Sequence, residues 1–195
     1  KKRKMARSLA LLLVVSLFRA CMSLSSPPVF TFNMSEIPYN RWKGALDLVA
    51  AMSSWEESWL PSFAYHNESL FNGLDSSLWE TLGESLSTNF PDQAEELKGL
   101  TSEFENVYHQ YVSYEYLAGW VYFHELAHSD LAIGETFARP ECTAILLQNA
   151  AGKVMHGANM DQSPETVRKL TLQIRFVDND GTLLFQGVDW YWFTS

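Results

Sequence analysis

An α+β fold, helices first and strands second, is the architecture this sequence predicts. Three observations predict it. Apolar residues from Leu46 to Tyr114 recur at intervals of three and four. Beyond Pro140 the interval drops to two. And 47% of the 195 residues are hydrophobic while 19% are charged, enough apolar material for one sizeable core.

Residues 1–25 read as a signal-peptide region. Arg7 supplies a positive start, residues 9–18 form an apolar run interrupted at Ser16, and small residues follow at Ala20, Ser23 and Ser25. The run is too short to span a bilayer, Met5 is the natural start, and a short buried helix is the alternative reading. Residues 26–141 form the helical region. Leu46, Val49, Ala50, Met52 and Ser53 share one face of a helix expected over 43–59, Pro61 ends it, and 63–71 is a loop. A second helix over 74–90 repeats Leu78, Leu82 and Leu86 and is capped by Asp75 or Ser76. Pro91 opens a third, whose Leu97, Leu100, Phe104, Val107, Tyr111 and Tyr114 carry the helical period toward His128. Trp42, Trp55, Trp59 and Trp79 lie on these helices, where packing in the core competes with lining an acyl-chain site or touching lipid.

Residues 142–195 form the stranded region. A short apolar strand over 142–148, turn chemistry over 149–152 and a return over 153–159 make one hairpin. Leu170, Leu172, Ile174 and Phe176 then alternate with Thr171, Gln173 and Arg175, Asp178 to Gly181 turn the chain, and 183–192 completes a second hairpin. Four strands ending on Trp190, Tyr191, Trp192 and Phe193 would leave apolar surface bare, so further chain is expected beyond Ser195.

A net charge of −9 and a pI near 5.0 argue against a nucleic-acid partner, which would call for clustered Lys and Arg, found only from Lys1 to Lys4. The acidic balance fits a lysosome-like compartment, as it fits many others. Asn33-Met-Ser35 and Asn67-Glu-Ser69 are both N-glycosylation sequons, which support export. Only two cysteines occur. Cys21 falls at the expected cleavage region, so the mature protein keeps Cys142 alone, as an inert buried residue, an intermolecular link or a nucleophile.

The residues from Glu141 to Asp161 run Glu-Cys-Thr-Ala-Ile-Leu-Leu-Gln-Asn-Ala-Ala-Gly-Lys-Val-Met-His-Gly-Ala-Asn-Met-Asp. This segment resembles the start of the catalytic subunit in the acid ceramidase and N-acylethanolamine acid amidase family, N-terminal-nucleophile cysteine hydrolases that open on Cys-Thr-Ser-Ile-Val and return through His-Gly-Arg-Asn-Met/Leu-Asp. Phe32 to Ser35, Arg41 with Trp42, Glu95 to Gly99 and Val167 to Leu170 are also similar, in the family's order. The resemblance implies an αββα sandwich, here incomplete, and a precursor that cuts itself between Glu141 and Cys142 into α and β subunits. The freed α-amine, with a pKa of about 8 in water, takes the thiol proton, so no histidine is required. Cys142 then attacks an amide carbonyl and Asp161 orients the amine, while Thr143 and Asn159 support the site and His156 packs or hydrogen-bonds nearby. No cofactor is implied. The implied substrate is a lipid N-acyl amide, either a ceramide or an N-acylethanolamine, met in the lysosome or outside the cell with possible contact at a membrane surface. Ala158 stands where the family carries Arg, and the family's later oxyanion residues correspond to positions beyond Ser195.

A rival motif lies upstream. His124, Glu125 and His128 have the spacing of a zinc peptidase, with two imidazoles one helical turn apart and a carboxylate between them to activate water. Its metzincin extension fails at Leu131, where Gly is needed, and a third ligand would fall to Glu141 or Glu165. The bland reading is a helix face packed beside Tyr116, Trp120 and Phe123. An amidase, a zinc peptidase and an inactive lipid-binding module therefore stay open.

Overall fold

The computed structural model describes residues 26–69, 71–122, 141–152, 154–161 and 165–190. The expected α+β order holds: strand β1 (Val29–Asn33) leads into helices α1 (Ala45–Ala50), α2 (Trp59–Ser69), α3 (Ser76–Asn89), α4 (Pro91–Tyr108) and α5 (Tyr114–Val121). Strands β2 (Glu141–Gln148), β3 (Val154–Asp161), β4 (Thr171–Val177) and β5 (Leu183–Trp190) follow.

β1 is an addition to the four expected strands. Its Phe30 and Phe32 alternate with Thr31 and turn inward, as the two-residue period of a half-buried strand requires. It pairs in parallel with β4, Val29 opposite Gln173 and Asn33 opposite Val177, and β4 pairs antiparallel with β5. The two hairpins therefore do not share a sheet: β1, β4 and β5 form one in the order β1-β4-β5, and β2 and β3 form a separate ladder. The connection from β1 to β4 carries all five helices. Phe30 and Phe32 meet Trp42, stacked at 5.7 Å and edge-on at 4.9 Å, and with Leu172 and Ile174 join a core that continues through Leu46, Val49, Leu97, Leu100 and Phe104.

Three helix boundaries differ from expectation. The helix predicted over 43–59 is only the six residues of α1; Leu46, Val49 and Ser53 are buried as expected, but Met52 is exposed. Pro61 does not end a helix. It lies in the first turn of α2, where the missing N–H has no intrahelical acceptor to lose, so the stretch expected as a loop is helical through Ser69. Ser58, Ser62 and His66 then follow the buried side, with Ser62 Oγ donating to Ser58 O at 2.7 Å and His66 Nδ1 2.7 Å from Ser62 O. The third helix stops at Tyr108 instead of running on. His109 adopts a left-handed conformation (φ 55°), and the chain restarts at Ser113, whose hydroxyl accepts from the N–H of Tyr116. Asp75 caps α3 as expected, accepting from the N–H of Ser77 at 2.8 Å.

These four tryptophans divide between the core and its margin. Trp42 and Trp59 are fully buried in the core; Trp55 and Trp79 are partly buried and pack against it.

Candidate functional site

The hairpin of β2 and β3 holds the residues singled out from the sequence. Asn149 builds its turn: Gly152 N–H donates to Asn149 O at 2.9 Å, Ala151 N–H donates to Asn149 Oδ1 at 3.0 Å, and Gly152 takes φ 80°. A clean turn fixes the register of the whole ladder, because each rung follows from the one before. Gln148 stands opposite Val154, Leu146 opposite His156, Thr143 opposite Asn159, Cys142 opposite Met160 and Glu141 opposite Asp161.

That register decides what lies beside the Glu141–Cys142 bond. Opposed residues in an antiparallel ladder have Cα atoms about 4.5–5.5 Å apart, so the rungs on either side of this bond are closed by Asp161 and Met160, and the next by Asn159. The structure brings together the backbone of Cys142, Thr143, Asn159 and Asp161, with Cys142 sharing its rung with Met160 instead of Asp161. At the turn end of the hairpin Leu146, Leu147 and Val154 are exposed.

His124, Glu125 and His128 lie outside the described residues. Among the described residues no group of three or more His, Cys, Asp or Glu side chains is placed to hold a metal. The sequon asparagines are both half-buried and engaged: Asn33 Oδ1 accepts from the N–H of Ser35 at 3.0 Å, and Asn67 Oδ1 accepts from the Tyr116 hydroxyl at 2.9 Å.

A second constellation was not singled out as a site from the sequence. Arg41 reaches across to α4, donating from Nη1 to Glu96 Oε1 at 2.8 Å, while its Nε and Nη2 donate to Glu36 O and Met34 O at 3.0 Å. Trp42 Nε1 donates to the other oxygen of Glu96 at 3.2 Å. Burial pushes the Glu96 carboxyl above its ordinary range, and the hydrogen bonds from Arg41 and Trp42 oppose that shift. Beside it Gly99 lies so close to the carbonyl of Tyr39 that a Cβ would collide with it. The signal was present in the sequence, since Phe32 to Ser35, Arg41 with Trp42, and Glu95 to Gly99 are three of the four stretches outside the hairpin whose pattern resembles the family. Their common geometry assigns them to docking β1 and its following loop on α4.

Comparison with known proteins points to hydrolases that act on amide bonds, over a limited part of the chain. Over 48 residues, 24% of this chain, it is 40% identical to the N-acylethanolamine-hydrolyzing acid amidase of Caenorhabditis elegans. The match spans 13% of that relative's length. No protein-family model matches the chain.

Proposed function

We propose that this chain belongs to an N-terminal-nucleophile amidase of the acid amidase type, in which Cys142 is the nucleophile freed by cleavage of the Glu141–Cys142 bond. The similarity to an acid amidase over 48 residues supports a hydrolase. The observation that carries the reading is the register of β2 and β3, with Asp161 directly across from Glu141. An α-amine released at Cys142 would begin its strand one rung from an acidic residue, the neighbourhood that an ammonium-orienting carboxylate requires. Thr143 and Asn159 close the next rung and are the supporting residues.

In this reading the thiol of Cys142 adds to the carbonyl carbon of Glu141, the bond from that carbon to the Cys142 nitrogen breaks as the nitrogen takes a proton, and a thioester and a free α-amine result. Water then hydrolyses the thioester, releasing the Glu141 carboxylate and restoring the Cys142 thiol. In turnover the same amine takes the thiol proton, sulfur adds to the amide carbonyl, the amine group of the substrate leaves with a proton, and water hydrolyses the thioester. The substrate is a lipid N-acyl amide, the setting is the lysosome or the exterior reached through a signal peptide, and Asn33 and Asn67 carry glycans.

Intact-mass measurement of secreted protein held at acidic pH tests this. Two fragments meeting between Glu141 and Cys142 are expected, with Cys142→Ala leaving the chain whole. An uncut chain at every pH, or cleavage that survives Cys142→Ala, would sink the proposal.

A further inference from the structure

A cleft of about 560 Å³ opens on the face of the β1-β4-β5 sheet turned away from the core. Phe30, Phe32 and Leu172 are buried on the inner face, so the residues alternating with them face outward. The register sets these in two rows across the strands: Val29, Gln173 and Val188 in one, Thr31, Arg175 and Gln186 in the next. Arg175 thus stands on the central strand, with Gln173 two residues before it and Gln186 directly across from it. Val29 and Val188 flank them, each more than half exposed. The chain carries 23 acidic residues against 14 Lys and Arg, yet no Asp or Glu lines this cleft. Asp189 of β5 shares its rung with the buried Leu172 and so belongs to the inner face. Among the described residues the Arg175 guanidinium makes no hydrogen bond or ion pair, and the side-chain amides of Gln173 and Gln186 make no hydrogen bond.

A planar guanidinium presents paired N–H donors that match the two oxygens of a carboxylate, and an amide N–H on either side can donate to their remaining lone pairs. A cationic head is repelled by Arg175, and a neutral one leaves the guanidinium unmatched. The two valines give a hydrocarbon chain apolar surface to cover. We propose that this sheet face binds an alkyl carboxylate, its head on Arg175, Gln173 and Gln186 and its chain crossing the row that holds Val188. The site is independent of Cys142 and of any cleavage of the chain.

Isothermal titration of the full chain at neutral pH compares octanoate with octanol and octyltrimethylammonium, which change the head, and with acetate, which removes the chain. Saturable binding strongest for octanoate is expected. Arg175→Met weakens octanoate by about five-fold, the scale of a partly exposed ion pair, and leaves octanol unchanged. Val188→Ser weakens octanoate and leaves acetate unchanged. The proposal is overturned if octanol, octyltrimethylammonium or acetate binds as well as octanoate, if either variant binds octanoate undiminished, or if no titration saturates. Should Arg175→Met lose its native near-ultraviolet dichroism, Gln186→Leu decides, because that side chain is exposed and its loss leaves the core intact; a weakening of octanoate by about two-fold supports the site and an unchanged affinity overturns it.

Discussion

His66 occupies a position where a proton is costly. It is 1% exposed, its ring lies 4.2 Å from that of Trp120, and burial pulls its pKa down from 6.5 to about 4, with the hydrogen bond to Ser62 opposing. Between those values the unfolded chain binds a proton that the folded chain refuses. Stability is therefore full above pH 6.5, falls as pH drops, and has lost this contribution by about pH 4, an amount of about 3 kcal/mol at about 1.4 kcal/mol per pH unit. Urea denaturation across this interval is expected to show the slope, and His66→Gln to flatten it. Arg41 and Glu96 behave differently because each answers the other. Arg41→Met alone leaves a buried carboxylate facing only Trp42 and is expected to cost about 3 kcal/mol. Adding Glu96→Leu should recover much of that, so that the double variant melts above the single one.

At the level of elements, the sequence was most legible where a side chain's chemistry acts locally. Asp75 is an N-cap residue type followed by two serines, and it caps α3; the Asn149 to Gly152 turn and the alternation around Ile174 gave both hairpins their places. The misreadings came where one residue type has two positional meanings. Pro61 stops a helix from inside and is harmless in its first turn, and only the buried Trp59 and Phe63 decide that α2 starts before it. Likewise the apolar spacing of Val107, Tyr111 and Tyr114 continues a helical period across a real break, because Val107 and Tyr114 reach the same core from two separate helices. Gly99 marks a contact that no periodicity reveals. Gly99→Ala is expected to force the turn at Pro38–Asn40 off α4 and cost about 1–3 kcal/mol, read as a lowered thermal midpoint.

The whole molecule is organised by a pairing that spans most of its length. Phe30 and Phe32 carry a two-residue period as plain as that of β4, but five residues beside a Ser/Pro-rich stretch give no hint of a partner so distant in sequence. The hairpin that holds Cys142, by contrast, was legible from its turn a few residues away, although its ladder runs past the expected Asn159 to Asp161 and sets Cys142 opposite Met160. Phe32→Ala removes a 2% exposed ring held by Trp42 and Phe176, and a loss of about 3–5 kcal/mol is expected in chemical denaturation.

β1 precedes Glu141 and β4 follows it, and the two sides are further joined where Ser35 donates to Asp178 at 2.9 Å, where Ser62 meets Thr166 at 2.9 Å and where Lys169 approaches Glu57. Severing the backbone between them would thus not part the pieces. Shared strands and a common interior would keep both fragments travelling together through a sizing column, and only a denaturant would reveal that there were two.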